Sequence, residues 1–219
     1  MSRLSLLFIC LLVFPASVFS NQKFSTEIWK HQANDLENIS NFKGLEIDCY
    51  FVSSLNKIII SHQDSFNSLT AKKLEEKIIP KNKNVWLDFK NFGKLNSEEI
   101  NTAMSQLSKF ENQFFLESQN FFKLYKINKR YENIRTIFNL PIFFENKFYI
   151  QILSKVFNFS SFDFISISNH QFNLVKDYFQ SEKIFVYTIN NKKNFCNFVK
   201  KNKVKVILSR YNFNQNKCK

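Results

Sequence analysis

The chain has 219 residues, 44% of them hydrophobic, which suits one domain with a sizeable core and is too apolar for a disordered chain. It holds two glycines, Gly44 and Gly93, so neither a glycine-rich phosphate loop nor a dinucleotide fingerprint can be written, and any phosphate chemistry must use side chains or a metal. A formal charge of +13 suits anionic partners, but the lysines are scattered apart from short groups such as Lys200, Lys201 and Lys203, which argues against a nucleic-acid interface.

In chain order, residues 1–20 read as an export signal. Arg3 gives the positive start, and Leu4 to Phe14 form an apolar run shorter than the roughly 20 residues of a membrane span. Pro15 breaks the run, and Val18 and Ser20 suit cleavage before Asn21. A periplasmic or secreted protein is expected, with an uncleaved anchor as the alternative. Export permits disulfides. Without Cys10, the cysteines Cys49, Cys196 and Cys218 allow at most one internal bridge.

Residues 21–219 alternate short apolar runs with helix-like stretches, the pattern of a single α/β domain with parallel strands. Strands are expected at Thr26–His31, Leu45–Phe51, Val85–Lys90, Gln113–Glu117, Arg135–Leu140, Phe164–Ser168, Ile184–Ile189 and Val204–Ser209. Eight such strands predict a compact (β/α)8 TIM barrel, an architecture that usually runs to about 250 residues. An extra apolar run, Lys57–Ile60, follows a turn at Asn56 and would carry His62 back over the barrel mouth.

A capping box, Asn96-Ser97-Glu98-Glu99, opens a helix with Ile100, Ala103, Met104 and Leu107 on one face. A second helix is expected after Ser68, with Leu69, Leu74 and Ile78 as its apolar stripe. Further helices are marked by Leu174, Val175 and Tyr178, and by Phe195, Phe198 and Val199. The aromatic-rich stretches 121–131 and 143–159 give no clean period.

Barrel enzymes carry their chemistry at the C-terminal ends of the strands. There this sequence has His31 on the first strand, Glu46 and Asp48 on the second, Asp88 and Lys90 on the third and Glu117 on the fourth. Glu46 and Asp48, two apart, share one face of their strand, as do Asp88 and Lys90. Unpaired charges in apolar runs are costly, and three carboxylates converging on one mouth are best relieved by a divalent cation, with oxygen ligands suiting Mg²⁺ or Ca²⁺. Each residue has a plainer alternative. Glu46 and Asp48 fit solvent-facing alternation on an antiparallel edge strand, Asp88 and Lys90 fit a structural ion pair, and His31 and His62 fit ordinary core or surface histidines. His170 is read as incidental, and Trp29 and Trp86 as barrel packing.

Taken together, Lys30-His31-Gln32, Leu36-Glu37-Asn38, Leu45-Glu46-Ile47-Asp48 and Ile60-Ser61-His62 resemble the start of the glycerophosphodiester phosphodiesterase-like family. That family belongs to the phospholipase-C-like phosphodiesterase barrels, which include the spider-venom sphingomyelinase D type. Val85-Trp86-Leu87-Asp88-Phe89-Lys90 resembles its third-strand segment, and Val186-Tyr187-Thr188-Ile189-Asn190 its seventh.

The resemblance implies that Glu46, Asp48 and Asp88 hold the metal and that His31 and His62 are the general acid/base pair. It implies that Lys90 contacts the phosphate, and it puts Glu117, Tyr187 and Asn190 on the substrate side. The substrate class it implies is a glycerophosphodiester or a lysophospholipid-like ester; the net charge of +13 alone leads to the further expectation of an anionic membrane surface as a partner. The alternative is a catalytically inactive barrel that binds a phosphorylated ligand or partner.

Several positions depart from the family pattern. Gln32 and Ala33 stand where Arg and Gly usually follow the first histidine, and Asp88 where Glu is commoner, although the sphingomyelinase D type also has Asp there. Tyr187 replaces a Trp, and the last strand ends Ser209-Arg210 rather than with an acidic residue.

Overall fold

The computed structural model describes residues 25–63, 71–141, 146–159 and 162–218. The proposed export signal, Ser68 and Leu69 lie outside these. Among the described residues no helix is long and apolar enough to cross a membrane.

Among the described residues nine strands form one sheet: β1 (Glu27–Lys30), β2 (Gly44–Val52), β3 (Lys57–Ile60), β4 (Asn84–Phe89), β5 (Phe114–Ser118), β6 (Ile134–Asn139), β7 (Phe164–Ser168), β8 (Ile184–Tyr187) and β9 (Val206–Ser209). Eight are parallel and close into a barrel, in the order β1-β2-β4-β5-β6-β7-β8-β9 and back to β1. This is a single-domain TIM barrel. β3 lies outside the ring as an antiparallel ribbon on β2, pairing Val52 with Lys57 and Cys49 with Ile60. The tight turn between them uses Asn56 at φ 54, in the left-handed region that asparagine tolerates.

Strand alternation sorts the side chains. On β2, Leu45, Ile47 and Cys49 point outward into the large core under the helices. Inside the barrel a separate cluster of Trp29, Trp86, Phe115, Ile137, Phe185, Val206 and Leu208 fills the floor. Its rings meet edge-on or tilted: Trp29 is 5.0 Å from Phe115 and Phe185 is 4.7 Å from Phe164. Gly44 is required by close approach, because a Cβ there would stand 2.4 Å from Trp29 Cδ2. The floor is therefore dry and apolar, and polar groups can accumulate only in the layer above it, at the C-terminal ends of the strands.

The helices are short. α1 (Ser97–Leu107) begins with the capping box read from the sequence: Asn96 accepts from the Glu98 and Glu99 amides, and Glu99 accepts from the Asn96 amide. α2 (Phe121–Arg130) and α3 (Lys147–Phe159) occupy the two aromatic-rich stretches that lacked a clean period. α4 (Phe172–Val175) is a single turn, and α5 (Lys192–Lys201) carries Phe195 into the core.

The helix expected around Leu74 and Ile78 is not one. Leu74–Glu76 is a 3-10 turn, with Leu74 buried and Ile78 92% exposed. Pro80 explains this, since proline disfavours helical backbone just before it, and Lys73 is drawn into an extended bridge with Ile59. One disulfide, Cys196–Cys218, ties α5 to the C-terminal segment; Cys49 is free and buried.

Candidate functional site

Register assembles the site. Asp48 on β2 is level with Asp88 on β4, which is level with Glu117 on β5. All three point inward, because each lies an even number of residues from an inward-facing floor or rim residue on its own strand. Glu46 sits one inward position below Asp48. Carboxylate oxygens of Glu46, Asp48 and Asp88 lie within 4.8 Å of one another. Glu46 and Asp48 are buried on a strand paired on both sides within the ring, which excludes a solvent-facing edge.

The electrostatics follow from this crowding. Burial, reinforced by the Asp48 charge, pushes the Glu46 carboxyl well above the usual carboxylate range, although the Gln32 amide donates to it at 2.9 Å. Burial also pushes Asp48 upward. The hydrogen bond and charge of Lys90, with His62 and Asn34, outweigh it and hold Asp48 below its ordinary value. Asp88 is raised by burial despite the neighbouring Lys90. Glu117 is raised to about 7 by burial and the Asp88 charge, against hydrogen bonds from Asn139, Ser166 and Trp86. Tyr187 is raised by burial and by Glu117.

Lys90 is the cation of this cluster. Its Nζ lies 2.7 Å from Asp48 and donates also to Asp88. Burial works against its charge, but the two carboxylates outweigh it and raise its pKa. One ammonium against three clustered carboxylates leaves an excess of negative charge that a divalent cation would neutralise. The donor set, all hard oxygen, fits Mg²⁺ or Ca²⁺ chemistry.

Two histidines flank the carboxylates. The β2–β3 ribbon returns the chain to the level of Asp48, whose carbonyl accepts from the Ser61 amide, so the next residue, His62, reaches Asp48 with Nδ1 3.2 Å from Oδ2. A proton on Nδ1 can bond Asp48 and leave Nε2 free toward the mouth. His31, just after β1, has Nε2 3.5 Å from Glu46. Burial, with Arg210, His62 and Lys90 nearby, lowers its pKa to about 4 despite the Asp48 charge. Its Nδ1 is buried with no hydrogen-bond partner among the described residues.

These groups line a cleft of about 130 Å³ with Trp86, Glu117, Asn139, Tyr187 and Thr188. It adjoins a more open cavity of about 460 Å³, lined by Asp88, Lys90, Glu117, Ser118, Gln119 and Asn120 among others. Glu117 is fully satisfied: Trp86 Nε1 donates at 2.9 Å, Asn139 Nδ2 at 2.6 Å, and the Ser166 hydroxyl also donates. Trp86 thus packs the floor and holds Glu117 as well. Asn190 lies away from the cleft lining, where its Oδ1 accepts from the Arg210 amide at 2.8 Å.

Four participants were not read from the sequence. Asn34 donates to Asp48 at 3.1 Å and accepts its amide at 3.0 Å, fixing the carboxylate from the β1–β2 loop. Asn139 and Ser166 clamp Glu117. Arg210 reaches Gln32. An Asn three residues past a catalytic-type histidine carries no distinguishing pattern, and inward polar residues on β6 and β7 stand out only once the alternation is placed.

Compared by sequence, the chain matches no protein-family model and no curated protein. Its fold is that of solved phosphodiesterase barrels. It superposes on a glycerophosphodiester phosphodiesterase from Parabacteroides distasonis at TM-score 0.65 and 11% identity, covering 86% of this chain and 94% of that one. An Oleispira antarctica phosphodiesterase, solved with the product sn-glycerol-3-phosphate, gives 0.57 at 13% identity over 86% and 94%. A glycerophosphodiester phosphodiesterase from Agrobacterium tumefaciens gives 0.52 at 12% identity over 84% and 96%. At such identities the likeness establishes the TIM-barrel fold.

Proposed function

We propose that the chain is an exported, divalent-metal-dependent phosphodiesterase acting on a glycerophosphodiester or a lysophospholipid-like substrate. The observation that carries this reading is the pair His31 and His62 flanking three clustered carboxylates at the C-terminal mouth of a parallel barrel. The solved neighbours and the product bound to one of them support it.

Glu46, Asp48 and Asp88 would hold Mg²⁺ or Ca²⁺, which when bound supplies positive charge for the non-bridging phosphate oxygens. His31, kept neutral by burial, is suited to accept the proton of the attacking hydroxyl or water. His62, oriented through Nδ1 by Asp48, is suited to protonate the leaving oxygen through Nε2. Lys90 stabilises charge developing on phosphorus oxygens. Glu117 and Tyr187 shape the polar wall on which the rest of the substrate rests.

An anionic lipid surface is the partner that the +13 charge favours. Phe122 in the first turn of α2, and Phe148 and Tyr149 in the first turn of α3, are 77%, 58% and 55% exposed. α2 starts directly after β5, on the side of the barrel that carries the site.

The second reading, a barrel retained for binding a phosphorylated ligand, is favoured by Lys90, which itself bridges Asp48 and Asp88 as a resident cation. Turnover of an aryl phosphodiester and a lysophospholipid panel with Mg²⁺, Ca²⁺ or chelator, beside His31→Ala and Asp48→Asn, separates the two. Metal-dependent turnover lost in both variants is expected. A folded protein without turnover in any metal would favour the binding barrel.

A further inference from the structure

The mouth of the site holds a second cation that the carboxylates do not claim. Lys90 is committed to Asp48 and Asp88. Arg210, just past β9, makes no ion pair among the described residues. One guanidinium nitrogen donates to Gln32 Oε1 at 2.7 Å, and the other N–H groups have no protein acceptor there. Its backbone is pinned from both sides: the amide donates to Asn190, and the carbonyl accepts from Lys30 Nζ at 3.1 Å.

Gln32 is placed with equal care. It sits at φ 53, its amide donates to Glu46, and its Nε2 lies 3.4 Å from His62 Nδ1. With its backbone in the left-handed region and its amide on a buried carboxylate, Gln32 presents its side-chain carbonyl to Arg210, beside the second histidine. The two residues that depart from the family pattern at opposite ends of the described chain, Gln32 and Arg210, are thus one hydrogen-bonded unit.

We propose that Arg210, positioned by Gln32, is an oxyanion-binding residue of this site and takes the phosphate group of the ligand. The planar guanidinium keeps N–H donors in a fork that matches two phosphate oxygens. A phosphodiester entering beside four carboxylates meets repulsion that Lys90, already shared, only partly relieves. Arg210 supplies the missing positive charge from the β1–β9 seam, through its contact with Gln32. The inference rests on the site binding a phosphate ester, and it is tested by binding, so that it does not depend on turnover.

The test is calorimetric titration of the whole chain with inorganic phosphate and with phenyl phosphate, in saturating Mg²⁺. It uses the wild type, Arg210→Met, Arg210→Lys and the exchange pair Gln32→Arg/Arg210→Gln. Arg210→Met is expected to weaken both ligands about tenfold or more and to leave the Mg²⁺-induced rise in Tm unchanged. Arg210→Lys should recover only part of the loss, and the exchange pair most of it.

Phosphate affinity unchanged in Arg210→Met overturns the proposal, as does wild-type protein that binds neither ligand. Loss of the Mg²⁺ response together with phosphate binding would show a collapsed site, and would also overturn it. Failure of the phosphodiesterase reading is seen separately, as absence of turnover in wild-type protein that still binds phosphate through Arg210.

Discussion

Lys90→Met separates the two roles of the carboxylate cluster. The substitution keeps the aliphatic stem and removes the ammonium that lies 2.7 Å from Asp48 and bonds Asp88. Breaking a buried ion pair from one side costs about 3–5 kcal/mol, because the partner is left uncompensated. Here Asp48 is 1% exposed but Lys90 is 23% and Asp88 29% exposed, so solvent takes up part of that cost. About 2–3 kcal/mol is the expected loss in chelator.

For a chain of this size each kcal/mol moves Tm by about 2–4 °C, giving a fall of roughly 4–12 °C. Metal offsets this loss. With the competing ammonium gone, a divalent cation should find the carboxylates more freely, and at about a hundred times its Kd it contributes about 2.7 kcal/mol. Thermal melts of wild type and variant, in chelator and across a Mg²⁺ and Ca²⁺ series, measure both effects. A variant that melts like wild type in chelator, or gains no more from metal than wild type does, would refute the placement of Lys90 as the cation standing in for the metal.

Other outcomes follow from the same geometry. Glu117→Gln should flatten the pH dependence of stability. The Glu117 carboxyl is raised from 4.5 to about 7, so its contribution is full below pH 4.5 and lost as pH rises through 7, on the order of 3 kcal/mol. His31, lowered to about 4, has the opposite slope: its contribution is present above pH 6.5 and lost as pH falls toward 4. Between pH 4 and 7 the stability advantage of wild type over the variant should therefore shrink as pH rises, and denaturant melts showing a difference independent of pH would contradict the raised carboxyl. Gly44→Ala drives a Cβ into Trp29 and should cost about 1–3 kcal/mol by overpacking the barrel floor, read as a lower Tm with metal response retained. Reduction of Cys196–Cys218, which closes a loop of sequence separation 22, should lower stability by about 3 kcal/mol, while buried Cys49 resists a maleimide until the chain unfolds.

Much of this protein is written in the order of its residues. The apolar runs mark every strand to within about two residues, because each barrel strand must bury both faces, and the Lys57–Ile60 run announces the outer ribbon. Glu46, Asp48, Asp88 and Glu117 are conspicuous in the sequence because charge inside an apolar run demands an explanation. The helices are less legible: the wall needs only a few buried side chains from each, so α4 shrinks to one turn and Pro80 leaves Ile78 in solvent. Tertiary structure alone decided what the charges meet. Only the register of β2, β4 and β5 puts Asp48, Asp88 and Glu117 at one level, and only the ribbon's return brings His62 to Asp48. Only the seam between the first and last strands joins Gln32 to Arg210, 178 residues apart. Alternation and hydrophobicity are local properties that a sequence carries openly. Register and closure depend on hydrogen bonds between distant strands, and the site's chemistry resides in those contacts.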